Sequence, residues 1–415
     1  MKTIPRNLQG KVQAALKINP VVFVNGPRQA GKSTLVKKLL GAQFKAEYVS
    51  LDQATQMAAA AYSPVEFLTA RKSALIIDEV QLVPELFRAL KEVVDHLRTF
   101  EGKKANGHFL LTGSANILAL PKLSDALVGR MSVLTLLPLS SSEAIGGQGD
   151  ALSRIFNQDF TQLQNRDLSL VEAIGLATFP EISGKDEEVC YSWFEGYLTT
   201  ILQRDVKNLA ELEKIALLPI LLRILSTRAG SLINDADISR DIGLNAVTAK
   251  FYRKILQMMF LAFDVQPWFR NIGKRLVKSA KGYMIDSLLL CHNLGYKVDT
   301  LKQNMPDVFG HVVENFVAVE LLKLLSFGNF KGQLFHFRTS DGKEVDFVIE
   351  GSDGALMAIE VKSSEKISGN DFRGLRELES FVKDKFTVGI VLYSGKDVVP
   401  FGKNLWAIPF HILWQ

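Results

Sequence analysis

Gly26-Pro27-Arg28-Gln29-Ala30-Gly31-Lys32-Ser33-Thr34 is a complete G-x-x-x-x-G-K-[ST] motif. It follows the apolar run Val21–Val24 and precedes Leu35–Leu40, which has the composition of the first turns of a helix. A strand, a glycine-rich loop and a helix in this order are typical of a phosphate-binding loop. Glycines let the backbone bend around a phosphate, and the loop N–H groups and the helix N-terminus face it. The sequence therefore predicts nucleoside triphosphate binding.

Two side chains of this loop have predicted roles of their own. Lys32 reaches the β- and γ-phosphates, and the Ser33 hydroxyl holds Mg²⁺. The remaining loop residues are predicted to line the nucleotide: Gly26, Pro27, Arg28, Gln29, Ala30, Gly31 and Thr34. A glycine-rich turn with an accidental Lys-Ser pair is the alternative, which the flanking strand and helix disfavour.

A second segment, Ala74–Glu79, reads as an apolar strand that ends in two acids. In P-loop enzymes an aspartate at a strand end orients Mg²⁺, and Asp78 is predicted to do so through water or through Ser33. Glu79 is predicted to polarise the attacking water as a general base. A strand that ends in a solvated acidic turn is the alternative. Because Ala74–Glu79 lies downstream of a complete phosphate-binding loop motif, we favour the role in nucleotide hydrolysis.

Composition sets wide limits. The 415 residues suffice for two or three domains, and the net charge of +5 permits contact with nucleic acid without arguing for it. The two cysteines, Cys190 and Cys291, lack metal-site spacing and suit a reducing cytoplasm. No apolar segment that resembles a signal peptide follows Met1, and the apolar runs are too short to span a bilayer. We therefore expect a cytoplasmic protein without a membrane partner.

Strand and helix patterns alternate from Val21 to about Pro138. The predicted strands are 21–25, 47–51, 74–78, 108–112 and 132–137. Strands separated by helices indicate an α/β fold with a parallel sheet and helices on both faces. The nucleotide is then expected at the carboxyl ends of the strands.

Further candidates lie at the same edge of the predicted sheet. One of Thr112, Ser114 and Asn116 is expected to contact the γ-phosphate or its water, although a polar strand-to-loop turn explains any one of them equally well. Arg130 precedes the fifth strand. It is predicted to act as an arginine finger on a neighbouring subunit or to sense nucleotide within its own chain. A surface salt bridge is the alternative role for Arg130.

From about 150 to 305 the pattern is mainly helical. Residues 235–265 have the spacing of a helix-turn-helix with a central Gly243. Lys250, Arg253 and Lys254 fall in the second helix, where a DNA-binding module contacts phosphates. The favoured alternative is a winged-helix module between domains that contacts no nucleic acid.

The C-terminal part carries a second candidate site. Asp346 lies on one predicted strand, and Glu360 and Lys362 share a face of the next strand. The two carboxylates suit Mg²⁺, and the lysine can position or activate water. Glu314, on a preceding helix, adds a third candidate oxygen ligand. A hairpin with ordinary cross-strand ion pairs is the alternative.

At these residues the chain resembles a family of bacterial and archaeal proteins with an N-terminal AAA-type P-loop ATPase domain and a C-terminal domain of uncharacterised function (DUF4143-like). The resemblance covers nearly the whole chain. It rests on the following segments: Gly26–Thr34, Ile76–Gln81, Leu111–Ser114, Gly129-Arg130, Leu137–Ser140, Tyr197–Asp205, Val313–Val317, Arg338-Thr339, Glu344–Phe347 and Ile359–Lys362. Thr178 stands where the family more often has glycine before Phe179-Pro180-Glu181, a departure that affects no proposed catalytic residue.

The resemblance implies ATP as the nucleotide, with Lys32, Ser33, Asp78 and Glu79 in the roles above. It also implies a restriction-endonuclease-like PD-(D/E)xK fold at the C-terminus, with Asp346, Glu360 and Lys362 in its core. The predicted domains are a P-loop ATPase domain at 1–145, a helical region with a winged-helix-like module at 146–305, and a restriction-endonuclease-like domain at 306–415.

Two functions follow as expectations. The first is Mg²⁺-dependent ATP hydrolysis coupled to a nuclease-like domain that acts on nucleic acid, with ATP and ADP as ligands and self-association through Arg130. The second is a nucleotide-gated regulatory switch that binds DNA or protein without nuclease activity.

Overall fold

The computed structural model describes residues 4–39, 44–71, 73–114, 129–160, 168–206, 214–271 and 279–414. The chain forms two compact units. One comprises residues 6–138 with 258–260, and the other comprises residues 1–5, 139–257 and 261–415. Within the described residues, no helix is both long enough and apolar enough to cross a membrane. The three-domain division predicted from the sequence stays a prediction.

The first unit is built on a five-stranded sheet in which every pairing is parallel. The strands lie in the order β2-β3-β4-β1-β5. Their bounds are Val21–Asn25 (β1), Ala46–Ser50 (β2), Ala74–Asp78 (β3), Phe109–Gly113 (β4) and Met131–Thr135 (β5). The predicted parallel sheet is confirmed, and the strand ends differ from the expected ones by at most two residues. All residues of β1 and β4 are buried, as expected for central strands of a covered sheet.

Helices flank this sheet. They are Leu8–Ile18 (α1), Lys32–Leu39 (α2), Ala54–Tyr62 (α3), Pro64–Thr69 (α4) and Leu86–Glu101 (α5). Helix α5 buries Leu86, Leu90 and Val94, which recur at a spacing of four residues, so they lie on one face of the helix. Helix α2 begins at Lys32, so its N-terminus faces the loop that precedes it.

The second unit contains an eight-stranded mixed sheet in the order β12-β13-β11-β10-β9-β8-β6-β7. The strand bounds are Ala262–Pro267 (β6), Lys281–Met284 (β7), Gly332–Arg338 (β8), Glu344–Gly351 (β9), Leu356–Lys362 (β10), Phe386–Tyr393 (β11), Val399–Pro400 (β12) and Leu405–Pro409 (β13). Strands β6 and β7 lie inside the stretch that reads as helical, and the sequence pattern predicts neither of them. Because they extend the C-terminal sheet, residues before 306 help to form it.

The helices of this unit are Ser141–Ala144 (α6), Ala151–Phe156 (α7), Leu170–Leu176 (α8), Glu187–Thr200 (α9), Leu218–Thr227 (α10), Asp235–Ile242 (α11), Ala246–Met258 (α12), Ser287–Leu294 (α13), Val298–Asn304 (α14), Pro306–Phe327 (α15) and Arg373–Val382 (α16). Phe372, Leu375 and Leu378 at α16 are fully buried in the same apolar cluster as Val345 and Val348 of the sheet.

Helices α11 and α12 confirm the predicted pair around Gly243, which takes a left-handed conformation with φ of 65°. The proposed phosphate contact of Arg253 is wrong for this structure. Its side chain is only 8% exposed and forms ion pairs with Asp235 at 2.9 Å and Asp264 at 2.7 Å. A buried guanidinium held by two carboxylates supports the fold rather than a DNA surface. The winged-helix identity of this region stays a prediction.

Helix α15 carries a buried ion pair. Lys323 Nζ lies 3.0 Å from Glu320 Oε1 and also donates to the carbonyl oxygens of Leu139 at 2.8 Å and Ala177 at 3.2 Å. Glu320 Oε2 accepts hydrogen bonds from the backbone N–H of Ser141, at 2.9 Å, and from its hydroxyl. The Glu320 side chain is fully buried, so these partners replace the water that both charges have lost.

We expect Lys323→Met to destabilise the protein by about 3–5 kcal/mol, because it leaves the buried Glu320 carboxylate without a cation. Urea unfolding followed by tryptophan fluorescence measures this. The double variant Glu320→Gln/Lys323→Met should be more stable than the single one, and Lys331→Met, at an exposed lysine, should match the wild type. An unchanged midpoint for Lys323→Met would contradict the role of the pair.

Candidate functional site

The loop at Gly26–Thr34, predicted to bind phosphate, leaves β1 through backbone conformations that side chains disfavour. Gly26 has φ of 146° and Gly31 has φ of 94°. A Cβ atom on Gly26 would lie 2.1 Å from the carbonyl oxygen of Leu136, so no other residue fits. Gln29 also has a positive φ, of 61°. The loop is therefore a tight backbone turn that opens at the N-terminus of α2.

Lys32 is only 4% exposed, and its ammonium lies inside the loop. Nζ donates to the carbonyl oxygens of Gly26 at 3.0 Å and Pro27 at 2.7 Å. From outside, the Arg6 guanidinium donates to the carbonyl oxygens of Ala30 and Leu137, each at 2.6 Å. Arg6 thus ties the loop to the chain that follows β5. Its contribution is long-range, and no local motif reveals it.

Asp78 ends β3 with both carboxylate oxygens engaged. The Tyr48 hydroxyl donates to Oδ2 at 2.5 Å, and the Thr112 hydroxyl donates to Oδ1. Burial, and then the hydrogen bond to Asp78, raise the pKa of Tyr48 well above its usual value. The phenol therefore stays protonated and keeps its donor role. These neighbours on β2 and β4 fix the orientation of the carboxylate at the carboxyl edge of the sheet.

Glu79 follows in a left-handed conformation, with φ of 60° and ψ of 43°. Its backbone N–H donates to Thr112 Oγ1 at 3.3 Å, and its carboxylate accepts a hydrogen bond from the Gln81 amide. The same amide nitrogen donates to Ser114 Oγ at 2.9 Å. Gln81 thereby joins the predicted base to Ser114, one of the three candidate γ-phosphate contacts. The sequence motif places Gln81 nearby but does not show this link.

Further residues predicted for the nucleotide site are Ser33, Thr34, Arg130 and Asn116. Ser33 is half-buried at the first turn of α2, and Thr34 is exposed. Arg130 forms a two-point ion pair with Asp95, at 2.6 and 2.9 Å, which lowers the pKa of the Asp95 carboxyl through that hydrogen bond. This is the salt bridge that the sequence left open as an alternative. Asn116 lies outside the described residues.

The C-terminal candidates come together on two antiparallel strands. Phe347 of β9 pairs with Ile359 of β10, which brings the neighbouring Asp346 and Glu360 to the same end of the strand pair. Asp346 Oδ2 accepts the backbone N–H of Val361 at 2.9 Å. Lys362 Nζ donates to Glu360 Oε1 at 2.9 Å.

Two further groups enter this site from strand β7. Lys281 Nζ lies 3.1 Å from Glu314 Oε1 and 3.3 Å from Asp346 Oδ1. The Tyr283 hydroxyl donates to Glu314 Oε1 at 2.7 Å. Neither residue was a sequence candidate, because the strand that carries them is not predicted. An alternating Lys-x-Tyr at 281–283 was the only local signal.

Burial and crowding shift the pKa values of these acids. Burial, and then the Asp346 charge, raise the pKa of Glu360 to about 8. Burial and the Asp346 charge also raise the pKa of Glu314 to about 7. Burial alone would lower the pKa of Lys281, but Asp346 and Glu314 outweigh it and raise that pKa. Burial and the Asp346 charge thus favour the protonated forms of Glu314 and Glu360, whereas the neighbouring acids favour the charged form of Lys281.

The fit to a metal ion is uneven. Glu360 Oε2 is buried and has no hydrogen-bond partner in the described part of the chain, as expected of an oxygen that takes a cation. Across the described residues, however, no group of three or more His, Cys, Asp or Glu side chains is arranged to hold a metal ion. Asp346 with Glu360 suits a single divalent ion, whereas Glu314 is engaged by Lys281 and Tyr283.

Three family models match the chain. Residues 18–145 match an AAA domain. Residues 309–413 match the domain of unknown function DUF4143, and residues 153–300 match the domain of unknown function DUF8612. The match at 18–145 contains the glycine-rich loop Gly26–Thr34, Asp78, Glu79 and Arg130. The match at 309–413 contains Glu314 and the β9–β10 site but not Lys281.

Similar proteins include the uncharacterized proteins Rv2008c of Mycobacterium tuberculosis and Mb2031c of Mycobacterium bovis. Each is 28% identical over 410 residues, which span 97% of this chain and 83% of the relative. The similarity therefore extends across both units.

Similar solved structures include the replication initiator DnaA bound to AMPPCP and single-stranded DNA, at 17% identity and a TM-score of 0.28 over 59% of this chain and 86% of that one. Cdc6p from Pyrobaculum aerophilum has 11% identity and a TM-score of 0.27 over 77% of this chain and 96% of that one. Scores this low establish neither a shared overall fold nor a shared activity.

The raised pKa of Glu360 predicts a pH-dependent stability. The folded state holds a proton that the unfolded state releases above about pH 4.3, so stability is lost as pH rises from there towards 8. We therefore expect Glu360→Gln, which stays neutral, to melt at a higher temperature than the wild type at pH 8. Near pH 4.5 the two proteins should melt together. A melting difference that does not change between these pH values would contradict the buried, proton-holding state of Glu360.

Proposed function

We propose that the chain binds and hydrolyses ATP with Mg²⁺ at residues 26–34, 78–79 and 114. The observation that carries this proposal is the buried Lys32 ammonium inside the glycine loop, where it donates to the carbonyl oxygens of Gly26 and Pro27. A phosphate that enters the loop offers this cation a negatively charged acceptor in place of neutral carbonyls. The match of residues 18–145 to an AAA domain supports the same function.

In this proposal the loop N–H groups and the α2 N-terminus bind the phosphates, and Lys32 neutralises their charge. Ser33 and Asp78 would hold Mg²⁺, which would neutralise charge on the phosphate oxygens. Glu79 takes the proton of the attacking water, and Gln81 holds Glu79 beside Ser114. Arg130 would have to leave Asp95 before it could serve a nucleotide, in its own chain or in a neighbour.

We expect Lys32→Ala to lose ATP binding, because the phosphates lose their buried cation. Glu79→Gln should bind ATP normally and lose turnover by about 100-fold or more, since it keeps the shape but not the base. Calorimetry with ATP and Mg²⁺ and a phosphate-release assay measure the two effects. Lys38→Ala, at an exposed position on the same helix, is the matched control. Equal ATP affinity in Lys32→Ala and wild type would refute the site.

A second candidate function has its own supporting observation. We propose that Asp346, Glu360 and Lys362 form a metal-dependent phosphodiester-hydrolysing site on a restriction-endonuclease-like domain. The support is the buried, unpartnered Oε2 of Glu360 next to Asp346, with Lys362 bound to the other Glu360 oxygen. Asp346 and Glu360 would hold one Mg²⁺, which would polarise the scissile phosphate. Lys362, whose side chain is 34% exposed, orients or activates the water.

We expect the wild type to cleave DNA or RNA in Mn²⁺ or Mg²⁺, and Lys362→Ala to lose about 100-fold or more of that activity. The assay uses single- and double-stranded DNA and RNA, with and without ATP, which also tests coupling to nucleotide turnover. Lys366→Ala, at an exposed lysine just beyond β10, is the control. Absence of metal-dependent cleavage on every substrate would leave a nuclease-fold binding domain instead.

The regulatory alternative remains a nucleotide-gated switch that binds DNA or protein through residues 235–265. The burial of Arg253 removes one of its three proposed phosphate contacts. Lys250 and Lys254 are exposed and keep that role open. Lys250 and Lys254 are substituted together, and DNA affinity is measured at several salt concentrations. A switch that binds DNA through these lysines should lose both affinity and salt dependence.

A further inference from the structure

Lys281 is held in place by several independent contacts. On β7 it pairs with Val265 of β6, and it also forms an isolated bridge with Leu232. Its side chain is 5% exposed. Gly230, with φ of 78°, faces the Glu314 carboxylate, and its lack of a side chain leaves space for that carboxylate. A Cβ atom there would lie 3.0 Å from Glu314 Oε2.

The ammonium of Lys281 stands between two carboxylates. It lies 3.1 Å from Glu314 Oε1 and 3.3 Å from Asp346 Oδ1, so it bridges the two acids as a bound cation would. Two buried carboxylates that share a site repel each other unless a positive charge lies between them. The lysine supplies that charge through a covalent tether and cannot diffuse away.

On the opposite side of the site, Lys362 is bound to Glu360 Oε1 alone, and within the described residues no cation bridges Asp346 and Glu360. Asp346 Oδ2 accepts the backbone N–H of Val361 there, at 2.9 Å. Glu360 Oε2 is buried without a partner in the described part of the chain. Lys281 therefore occupies the space between Glu314 and Asp346. The space between Asp346 and Glu360 is the one that we expect to take a metal ion.

We propose that Lys281 is a resident cation that takes the place of a second metal ion, so that the C-terminal site holds a single divalent ion, between Asp346 and Glu360. This inference rests on the metal site of the proposed function. Sites that use two metal ions hold them about 3.5–4 Å apart on shared carboxylates. Here a second ion on Asp346 and Glu314 would meet the ammonium, and like charges at this distance repel strongly in a buried site.

The test is calorimetric titration of the nucleotide-free protein with Mn²⁺. We expect the wild type to bind one Mn²⁺ that Glu360→Gln removes. Lys281→Met keeps the length of the side chain without its charge, and it should bind one additional Mn²⁺. Adding Glu314→Gln to Lys281→Met should remove that additional ion. Lys331→Met, an exposed lysine near the start of β8, should titrate like the wild type.

The outcomes separate this inference from the proposed function. Suppose that the wild type binds no Mn²⁺ through Glu360, but Lys281→Met binds one ion that depends on Glu314. The proposed metal site between Asp346 and Glu360 is then refuted, whereas the proposal that Lys281 takes the place of a metal ion is supported. If Lys281→Met binds Mn²⁺ with the stoichiometry and affinity of the wild type, the role of Lys281 is refuted.

A second variant covers the case in which Lys281→Met does not fold, because that change leaves buried acids without a cation. Lys281→Met/Glu314→Gln removes the lysine and one acid together. Since Asp346 then has no competing ammonium, we expect its Mn²⁺ affinity to exceed that of the wild type by about tenfold or more. An affinity equal to that of the wild type would refute the inference.

Discussion

A buried lysine must find its hydrogen bonds inside the protein, because an unpaired charge in a dry interior costs several kcal/mol. Among the described residues, three buried lysines meet that requirement: Lys32, Lys281 and Lys323. Lys32 bonds the carbonyl oxygens of the glycine loop. Lys281 bridges two acids of the C-terminal site. Lys323 joins Glu320 to two backbone carbonyls. In each case the charge fixes the geometry of the backbone or acids around it.

Helix α15 (Pro306–Phe327) connects two of these charges. It presents Glu314 to Lys281, and six residues later it presents Glu320 to Lys323. Between them, the Asn315 side chain accepts the backbone N–H of Met284 at 2.8 Å and donates to Ser287 Oγ at 3.1 Å. The helix thus positions both Glu314 and the strand that delivers Lys281. The acidic site therefore depends on residues before 306 as well as on the β9–β10 pair.

The local parts of this structure were predictable from the sequence, and the long-range parts were not. A motif with fixed spacing, Gly26–Thr34, and alternating apolar strands identify the parallel sheet and place Lys32 and Asp78 at one edge. The short hairpin between β9 and β10 similarly brings Asp346 to Glu360. Partners distant in the chain escape such patterns: Arg6 on the loop, Tyr48 on Asp78, and Lys281 on Glu314. Arg253 looked like a surface cation because helical spacing does not reveal its two buried acids.

Diffraction from crystals grown with Mn²⁺ and a non-hydrolysable ATP analogue tests the account most directly, because anomalous scattering locates each metal ion. The account predicts one peak beside Ser33 and the terminal phosphate, and one peak between Asp346 and Glu360. It predicts unbroken contacts of Lys281 with Glu314 and Asp346. A nucleotide bound away from Lys32, or a metal peak between Glu314 and Asp346 with Lys281 displaced, would contradict it.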